Sequence, residues 1–404
     1  MKTKSLILGF AGLMALSSCQ KDEINLENES SIPSNEFCGQ LDLIDSTLTA
    51  DGLRAAYAKN YLWTNGQYIP VKITNGTTAN KKLVIEAMFE WMAYANITFI
   101  VVPDNYTGSC LTISFQNGTS SSEMGGSTHG LGNRATSIRF IGFESTKFTK
   151  NQKYGTILHE FGHVLGMVHE HQSPNSTIQW NTNAVFNYYR NLALYKDQND
   201  DQLWQTILTN VIGKYSTSDV TATSYDENSL MMYTFPSSWT TNGKSGHSNY
   251  ALSALDKSKT RQMYPLNGTR RLYRGYIPTG DVQFCTSHFE EEIKSQNFGQ
   301  YIAASLGKVH ENQVSGTTKL HRYWNGKDHY YTTNYNFLGA GKGGYTHVGF
   351  EGYVYSTAKN GTIPVYQYYN SKTATHVYTT DLNELGNGKL GYAYEGIAFY
   401  ILPN

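Results

Sequence analysis

His159-Glu160-Phe161-Gly162-His163-Val164-Leu165-Gly166-Met167-Val168-His169 decides how the rest of the chain is read. His159 and His163 stand four residues apart, one helical turn, so their rings project from one face and can share a metal ion. Gly166 can take a positive φ, which would turn the chain sharply and swing His169 back as a third nitrogen. Three such ligands at about 2.0–2.1 Å leave a fourth position open to water, which distinguishes a catalytic zinc from a structural one. Glu160 adjoins the first ligand and can reach that water as a general base. A bound zinc would bring the water's pKa toward about 7 and polarise a scissile carbonyl. A bare His-Glu-x-x-His arises by chance in about one or two per hundred chains of this length; the added Gly and His lower that to about one in ten thousand. Incidental histidines would also leave unpartnered polar rings in a stretch otherwise apolar at Phe161, Val164 and Leu165.

Outward from this stretch, the pattern is that of an α+β domain with a mixed twisted sheet. Tyr154 to Leu165 reads as the helix that carries the two histidines, closed by Gly166. Lys81 to Tyr94 places Val84, Met88, Trp91 and Met92 at helical spacing. Helices are also expected at Thr182–Tyr195, Leu203–Ile212 and Leu252–Tyr264, the last stopped by Pro265. Tyr68–Ile73, Asn96–Val102, Leu111–Phe115 and Ser137–Ile141 read as strands. Leu111–Phe115 reads either as an edge strand that pairs with an extended substrate or as an interior strand.

These residues resemble the metzincin zinc-peptidase signature, and two more features resemble its astacin branch. Glu170 directly follows His169, as in astacins, where that acid helps anchor the mature N-terminus. Tyr225-Asp226-Glu227-Asn228-Ser229-Leu230-Met231-Met232-Tyr233 is similar to the astacin Met-turn. By that likeness Met231, 62 residues past His169, forms an apolar floor beneath the ligands. Tyr233 would be a switching phenol, a metal ligand at rest and a hydrogen-bond donor to the oxyanion in the transition state. The likeness spans about residues 60–266, from Leu62-Trp63-Thr64-Asn65-Gly66-Gln67-Tyr68-Ile69-Pro70 to a closing helix that starts near Leu252-Ser253 and Asp256. It implies a zinc endopeptidase acting on peptides or proteins. One Zn²⁺ would sit on His159, His163 and His169, with Glu160 as base and proton shuttle. Departures are Met167 in place of the usual Phe, and His171-Gln172-Ser173-Pro174-Asn175 where astacins carry an Arg/Asp-rich run. His171, two residues past His169, reads as a surface residue.

The N-terminus reads as an address. Lys2 and Lys4 precede an apolar run at residues 5–16, too short to remain as a membrane span, that stops at Leu16-Ser17-Ser18-Cys19. That ending resembles a bacterial lipobox, with residues 1–18 removed and Cys19 lipidated. Gln20-Lys21-Asp22-Glu23 is similar to the acidic signal of surface-exposed lipoproteins. The expectation is an exported outer-membrane lipoprotein whose only membrane contact is the lipid, with residues 19–55 as a tether or prosegment. With Cys19 used, Cys38, Cys110 and Cys285 remain, so at most one disulfide can form in the chain. The two disulfides of astacins are therefore impossible here. Astacin prosegments use Phe-x-Gly-Asp, whose Asp caps the zinc; Phe37-Cys38-Gly39-Gln40 keeps Phe and Gly without the Asp. Either Cys38 supplies a thiolate in its place, or it pairs with Cys110 or stays a free thiol.

After Asn267-Gly268 the composition shifts and a repeat begins. Asp328-His329-Tyr330-Tyr331-Thr332-Thr333-Asn334 and Thr375-His376-Val377-Tyr378-Thr379-Thr380-Asp381 lie 47 residues apart, and Asp281-Val282-Gln283-Phe284-Cys285-Thr286-Ser287 lies 47 further upstream. Units of this length bury a core only by packing together, so residues 267–404 read as an all-β three-repeat domain, trefoil-like or a set of propeller-like blades. Its aromatic residues fill a β core or stack on a glycan or peptide. With 32 basic against 32 acidic residues among 404, the net charge is zero, which argues against a nucleic-acid partner. The rival to a peptidase is a surface adhesin or glycan-binding lipoprotein whose peptidase domain is vestigial.

Overall fold

Leu111, Ile113 and Phe115 alternate with half-buried neighbours and are themselves buried, which is the signature of a strand with one face on a core. The structure, a computed structural model, describes residues 57–117, 124–192, 195–222, 224–277, 282–288 and 301–404. The leader, Cys19, the tether, and Cys38 with each of its readings lie outside these residues. The chain divides into two units, the first ending at Tyr264 and the second beginning at Pro265, with Met92–Asn96 grouped with the second.

The first unit is built on a five-stranded sheet of β1 (Tyr68–Ile73), β2 (Thr98–Val101), β3 (Leu111–Gln116), β4 (Gly125–His129) and β5 (Ser137–Ile141). The strand order is β2-β1-β3-β5-β4. All neighbours are parallel except β4, which runs antiparallel to β5. Of the two readings of Leu111–Phe115, the interior one holds: β1 and β5 flank β3, and the edge strands are β2 and β4. Gly125-Gly126-Ser127-Thr128-His129 has one β-branched residue and no large aliphatic side chain, so its own composition gives no strand signal.

Helix α1 (Thr78–Tyr94) buries Val84, Met88, Trp91 and Met92, and the Trp91 indole donates to the Leu158 carbonyl at 3.0 Å. Helix α2 (Lys150–Val164) starts at a capping box between Thr149 and Gln152. Every residue of α2 from Ile157 onward is buried. Phe161 packs edge-on against Phe99 with ring centroids 5.1 Å apart. Its full burial is worth about 1.5–3 kcal/mol. Helices α3 (Thr182–Arg190), α4 (Asp200–Ile207, continued by a π turn over Leu208–Ile212) and α5 (Ala254–Met263) complete the unit. Thr182–Tyr195 thus stays helical only to Arg190.

Among its described residues the second unit holds nine strands in three like groups: β6 (Thr269–Ile277), β7 (Val282–Thr286) and β8 (Tyr301–His310); β9 (Thr318–Trp324), β10 (His329–Thr332) and β11 (Thr346–Val354); and β12 (Ile363–Asn370), β13 (Thr375–Thr379) and β14 (Tyr392–Ile401). In each group the first strand pairs antiparallel with both others. The tyrosines of the repeated motif link the groups. The Tyr331 hydroxyl donates to the Cys285 carbonyl at 2.6 Å and accepts from the Cys285 amide at 2.7 Å. The Tyr378 hydroxyl accepts from the Tyr331 amide at 3.0 Å. Among the described residues no helix is long and apolar enough to cross a membrane.

Candidate active site

Helix α2 ends in a way that assembles the site. Gly166 has φ +88°, its amide bonds the His163 carbonyl at 2.9 Å, and the Met167 amide bonds the Gly162 carbonyl at 2.9 Å. This is the paired bonding of a Schellman motif, which a left-handed glycine permits. The last carbonyls of the helix are met from outside: the Trp63 indole donates to Val164 and the Tyr264 hydroxyl to Leu165, each at 2.7 Å.

The reversal returns His169 to the other two imidazoles. Ring centroids lie 4.8 Å apart for His159 and His163, 4.9 Å for His163 and His169, and 5.3 Å for His159 and His169. One ligand nitrogen from each falls within 4.8 Å of the others, and the Nε2 atoms of His159 and His169 are 3.3 Å apart. Two nitrogens bound tetrahedrally at about 2.0–2.1 Å would be separated by about that much. The Nδ1 of His159 faces the Leu230 carbonyl at 2.9 Å, and that of His163 faces the Met167 carbonyl at 2.8 Å. Each carbonyl fixes the proton on Nδ1 and turns an Nε2 lone pair inward. Burial holds all three imidazoles below the usual histidine range, His163 at about 3, and their mutual repulsion adds to this for His163 and His169. They are neutral donors near neutral pH. Three neutral imidazole nitrogens converging on a point make a donor set that fits zinc.

Glu160 is fully buried next to the cluster. The Thr128 hydroxyl, on edge strand β4, donates to its Oε2 at 2.6 Å and lies 3.2 Å from its backbone oxygen. On the same strand, a Cβ on Gly126 would stand 2.6 Å from Glu160 Cγ, so the strand passes this close only because Gly126 has no side chain. Met231 is buried beneath α2, its Sδ 2.6 Å from where a Cβ on Gly162 would sit. The Met231 turn is held by α5: Asp256 accepts from the Ser229 hydroxyl (2.7 Å), the Leu230 amide (2.8 Å) and the Ser253 amide (3.0 Å). Since the Leu230 carbonyl orients His159, Asp256 acts on the ligand set at one remove.

One expectation is corrected here, and another lies beyond the described residues: the N-terminal anchoring that the astacin likeness implies for Glu170 involves chain that is not among them. Within them, Glu170 Oε2 takes the Lys259 ammonium at 3.1 Å and its Oε1 the Asp226 amide at 3.1 Å, with both side chains of the ion pair 2% exposed. Burial pushes the Glu170 carboxyl up, and Lys259 opposes it. His171 was read as a surface residue, but it is buried. Glu170–Gln172 form a 3-10 turn that carries the chain inward, and Gln172 is fixed by the Thr209 and Gly213 carbonyls at 2.8 and 2.9 Å. The His171 ring lies 4.7 Å from that of Tyr233, whose own ring is 5.8 Å from His169. Burial lowers His171 to about 3, so it too is neutral.

The structure thus brings His159, Glu160, His163, His169, Met231 and Tyr233 together, while Cys19 lies outside the described residues. Gly126, Thr128, Tyr189, Asp256 and Lys259 were not foreseen as site residues. Only Asp256 carried a sequence signal, as the acid of the Ser253-x-x-Asp256 capping box.

The sequence profile of the Astacin peptidase family matches residues 55–265, more than half of the chain, and a domain of unknown function (DUF5648) matches residues 271–402. Among solved structures, one of myroilysin is 31% identical over 52% of this chain and 98% of its own, with a TM-score of 0.44. A crystal structure of myroilysin is 29% identical over 60% of this chain and 100% of its own, at TM-score 0.36. High choriolytic enzyme 1, a hatching enzyme zinc-protease from Oryzias latipes (Medaka fish), is 16% identical over 52% of this chain and 94% of its own, at TM-score 0.33. Comparison with the curated proteins gave no match. Through the match at residues 55–265 the chain belongs to the astacin family, and it is a zinc metalloprotease.

Proposed function

We propose that the chain is a lipid-anchored endopeptidase in which one zinc is held by His159, His163 and His169. Glu160 is the general base and proton shuttle, Tyr233 stabilises the oxyanion, and Met231 is the floor of the site. The observation that carries this reading is the convergence of three ligand nitrogens within 4.8 Å beside a fully buried carboxylate. When bound, zinc supplies a Lewis acid that polarises the scissile carbonyl and acidifies water. Glu160, steadied by Thr128 through Oε2, takes the proton of the attacking water and passes it to the leaving nitrogen. The Tyr233 hydroxyl donates to the oxygen on which charge develops. An extended peptide adds to the outer edge of β4, which has no strand partner on that side among the described residues.

The cleavage of casein or a peptide library tests this reading. Chelation is expected to abolish it, Zn²⁺ to restore it, and Glu160→Ala to slow it by about a hundred- to ten-thousandfold. Cleavage that survives both chelation and Glu160→Ala would refute the assignment. The rival reading, an adhesin with a vestigial peptidase domain, is not favoured, because a binding scaffold has no need of Glu160 and Tyr233 beside three converged imidazoles.

The same proposal places a signal at residues 1–18, a tether at 19–55, the peptidase at 56–266 and the repeat domain at 267–404. Lipid on Cys19 holds the protein at the outer membrane, and radiolabelled palmitate incorporation that is lost in Cys19→Ala tests it. The repeat domain closes in a trefoil-like manner and recruits glycan-bearing substrates, a reading supported by its aromatic content. Glycan-array binding by the inactive Glu160→Ala protein tests it, and a flat array would leave the domain a spacer.

A further inference from the structure

The phenol of Tyr233 is gripped from two sides by residues outside the ligand set. Its hydroxyl lies 3.2 Å from that of Tyr189, on α3, and both residues are buried. Tyr189 is itself wedged between Tyr195 and Trp239, each with a ring centroid 5.7 Å from its own. On its flat face, the Tyr233 ring meets the His171 ring at 4.7 Å and a 33° tilt. Behind His171, Trp180 closes the stack edge-on at 6.2 Å.

A phenol has one proton to give. If Tyr233 is to hydrogen-bond an oxyanion, that proton must point at the oxyanion, and its bond with Tyr189 can then survive only with Tyr189 as donor. A donor to the Tyr233 oxygen also polarises its O–H, because chained hydrogen bonds strengthen one another in a low-dielectric site. A ring held face-on by a neighbour has one permitted plane, which limits the arc its hydroxyl can sweep.

We propose that Tyr189 and His171 are positioning residues for the Tyr233 phenol, with Tyr189 donating to its oxygen and His171 fixing the plane of its ring. This rests on the reading of Tyr233 as the oxyanion donor. It makes the site's electrophilic assistance depend on α3, a helix that supplies no metal ligand.

Steady-state cleavage of one peptide by the zinc-loaded full chain tests it, with Tyr189→Phe, Tyr233→Phe and their double variant compared alongside the parent protein. Tyr189→Phe keeps the ring and removes one oxygen. Losing one hydrogen bond is expected to lower kcat about three- to tenfold, with KM within about twofold. Zinc content, read by atomic absorption, stays at the parent level. In the Tyr233→Phe background the same change has no further effect on kcat, a result that a merely structural role for Tyr189 would not give. His171→Ala is expected to lower kcat about tenfold, and His171→Phe, which keeps a flat ring, to recover most of that loss. A Tyr189→Phe protein with parent kcat, or one equally impaired with and without Tyr233, overturns the positioning role while leaving Tyr233 its function. Full kcat in Tyr233→Phe removes the oxyanion role, and the positioning proposal falls with it.

Discussion

A single hydrogen atom on Gly126 decides how near the β4 strand comes to Glu160. Gly126→Ala places a methyl 2.6 Å from Glu160 Cγ, so either the strand or the carboxylate must move. The expected outcome is a loss of kcat of about a hundredfold at unchanged zinc content, since small misplacements of a catalytic group carry costs of that order. Thr128→Val removes the donor to Glu160 Oε2 and is expected to lower kcat at least about tenfold, whereas Thr128→Ser retains most of it. Peptide kinetics beside metal analysis check both variants. His159, His163, His169 and Glu160 were legible in the sequence because helical spacing and one glycine place them locally. Gly126 and Thr128 were not legible, because they reach Glu160 through strand pairing about thirty residues away, and nothing in Gly-Gly-Ser-Thr announces it. His171 was misread for the same kind of reason: its burial comes from contacts with Trp180 and Tyr233, made by chain that folds back later.

At the scale of elements, α2 is a platform whose end, underside and support come from different parts of the chain. Its end is the Gly166 turn, foreseen from the sequence. At φ +88° a residue with a Cβ pays a left-handed penalty, so Gly166→Ala is expected to destabilise the first unit by about 1–2 kcal/mol and to weaken zinc binding as His169 shifts. Urea unfolding and competition with a zinc-sensing dye read the two effects. The support is α5, and its role was not legible: the sequence marked Ser253 and Asp256 as a helix start, but the carboxylate also holds Ser229 and the Leu230 amide. Asp256→Ala removes the acceptor of the Leu230 amide, whose residue's carbonyl orients His159, while Ser253 still caps the helix by accepting from the backbone amide of position 256. Zinc affinity is expected to fall about ten- to a hundredfold, the usual range for removing a group behind a ligand. One turn further along α5, Lys259 neutralises Glu170, so this short helix both steadies the ligand set and closes a buried charge. Lys259→Met would strand the Glu170 carboxylate in the interior at a cost of about 3–5 kcal/mol, and the Glu170→Gln, Lys259→Met double variant is expected to recover much of it in the same urea assay.

For the whole molecule, the 47-residue period pointed to repeats in the second unit, and among the described residues each period has three strands, the first pairing antiparallel with the other two. What the period could not tell is how the groups are joined, because equivalent positions need not make equivalent bonds. Tyr331 and Tyr378 occupy the same place in their repeats, and each sends its hydroxyl to the backbone of another repeat's motif; the matching residue in the first repeat is Phe284, which has no hydroxyl. The series of tyrosine links is therefore missing at one position, where the Arg274 guanidinium instead donates to the Tyr378 carbonyl and pairs with Glu384, and strand pairing of β8 with β11 also joins two of the groups. Tyr331 is the busier of the two tyrosines, giving one bond to Cys285 and taking another, both in fully buried surroundings. Tyr331→Phe keeps the ring but leaves the Cys285 amide and carbonyl each short of a partner. An unsatisfied buried group costs about 1–3 kcal/mol, so the second unit is expected to lose about 2–4 kcal/mol. Tyr378→Phe strands only the Tyr331 amide and is expected to cost about half as much. Scanning calorimetry of the full chain, with peptide cleavage measured on the same samples, separates these changes from any at the zinc site. Equal losses in the two variants would mean that the links share their load in some way other than through these hydroxyls.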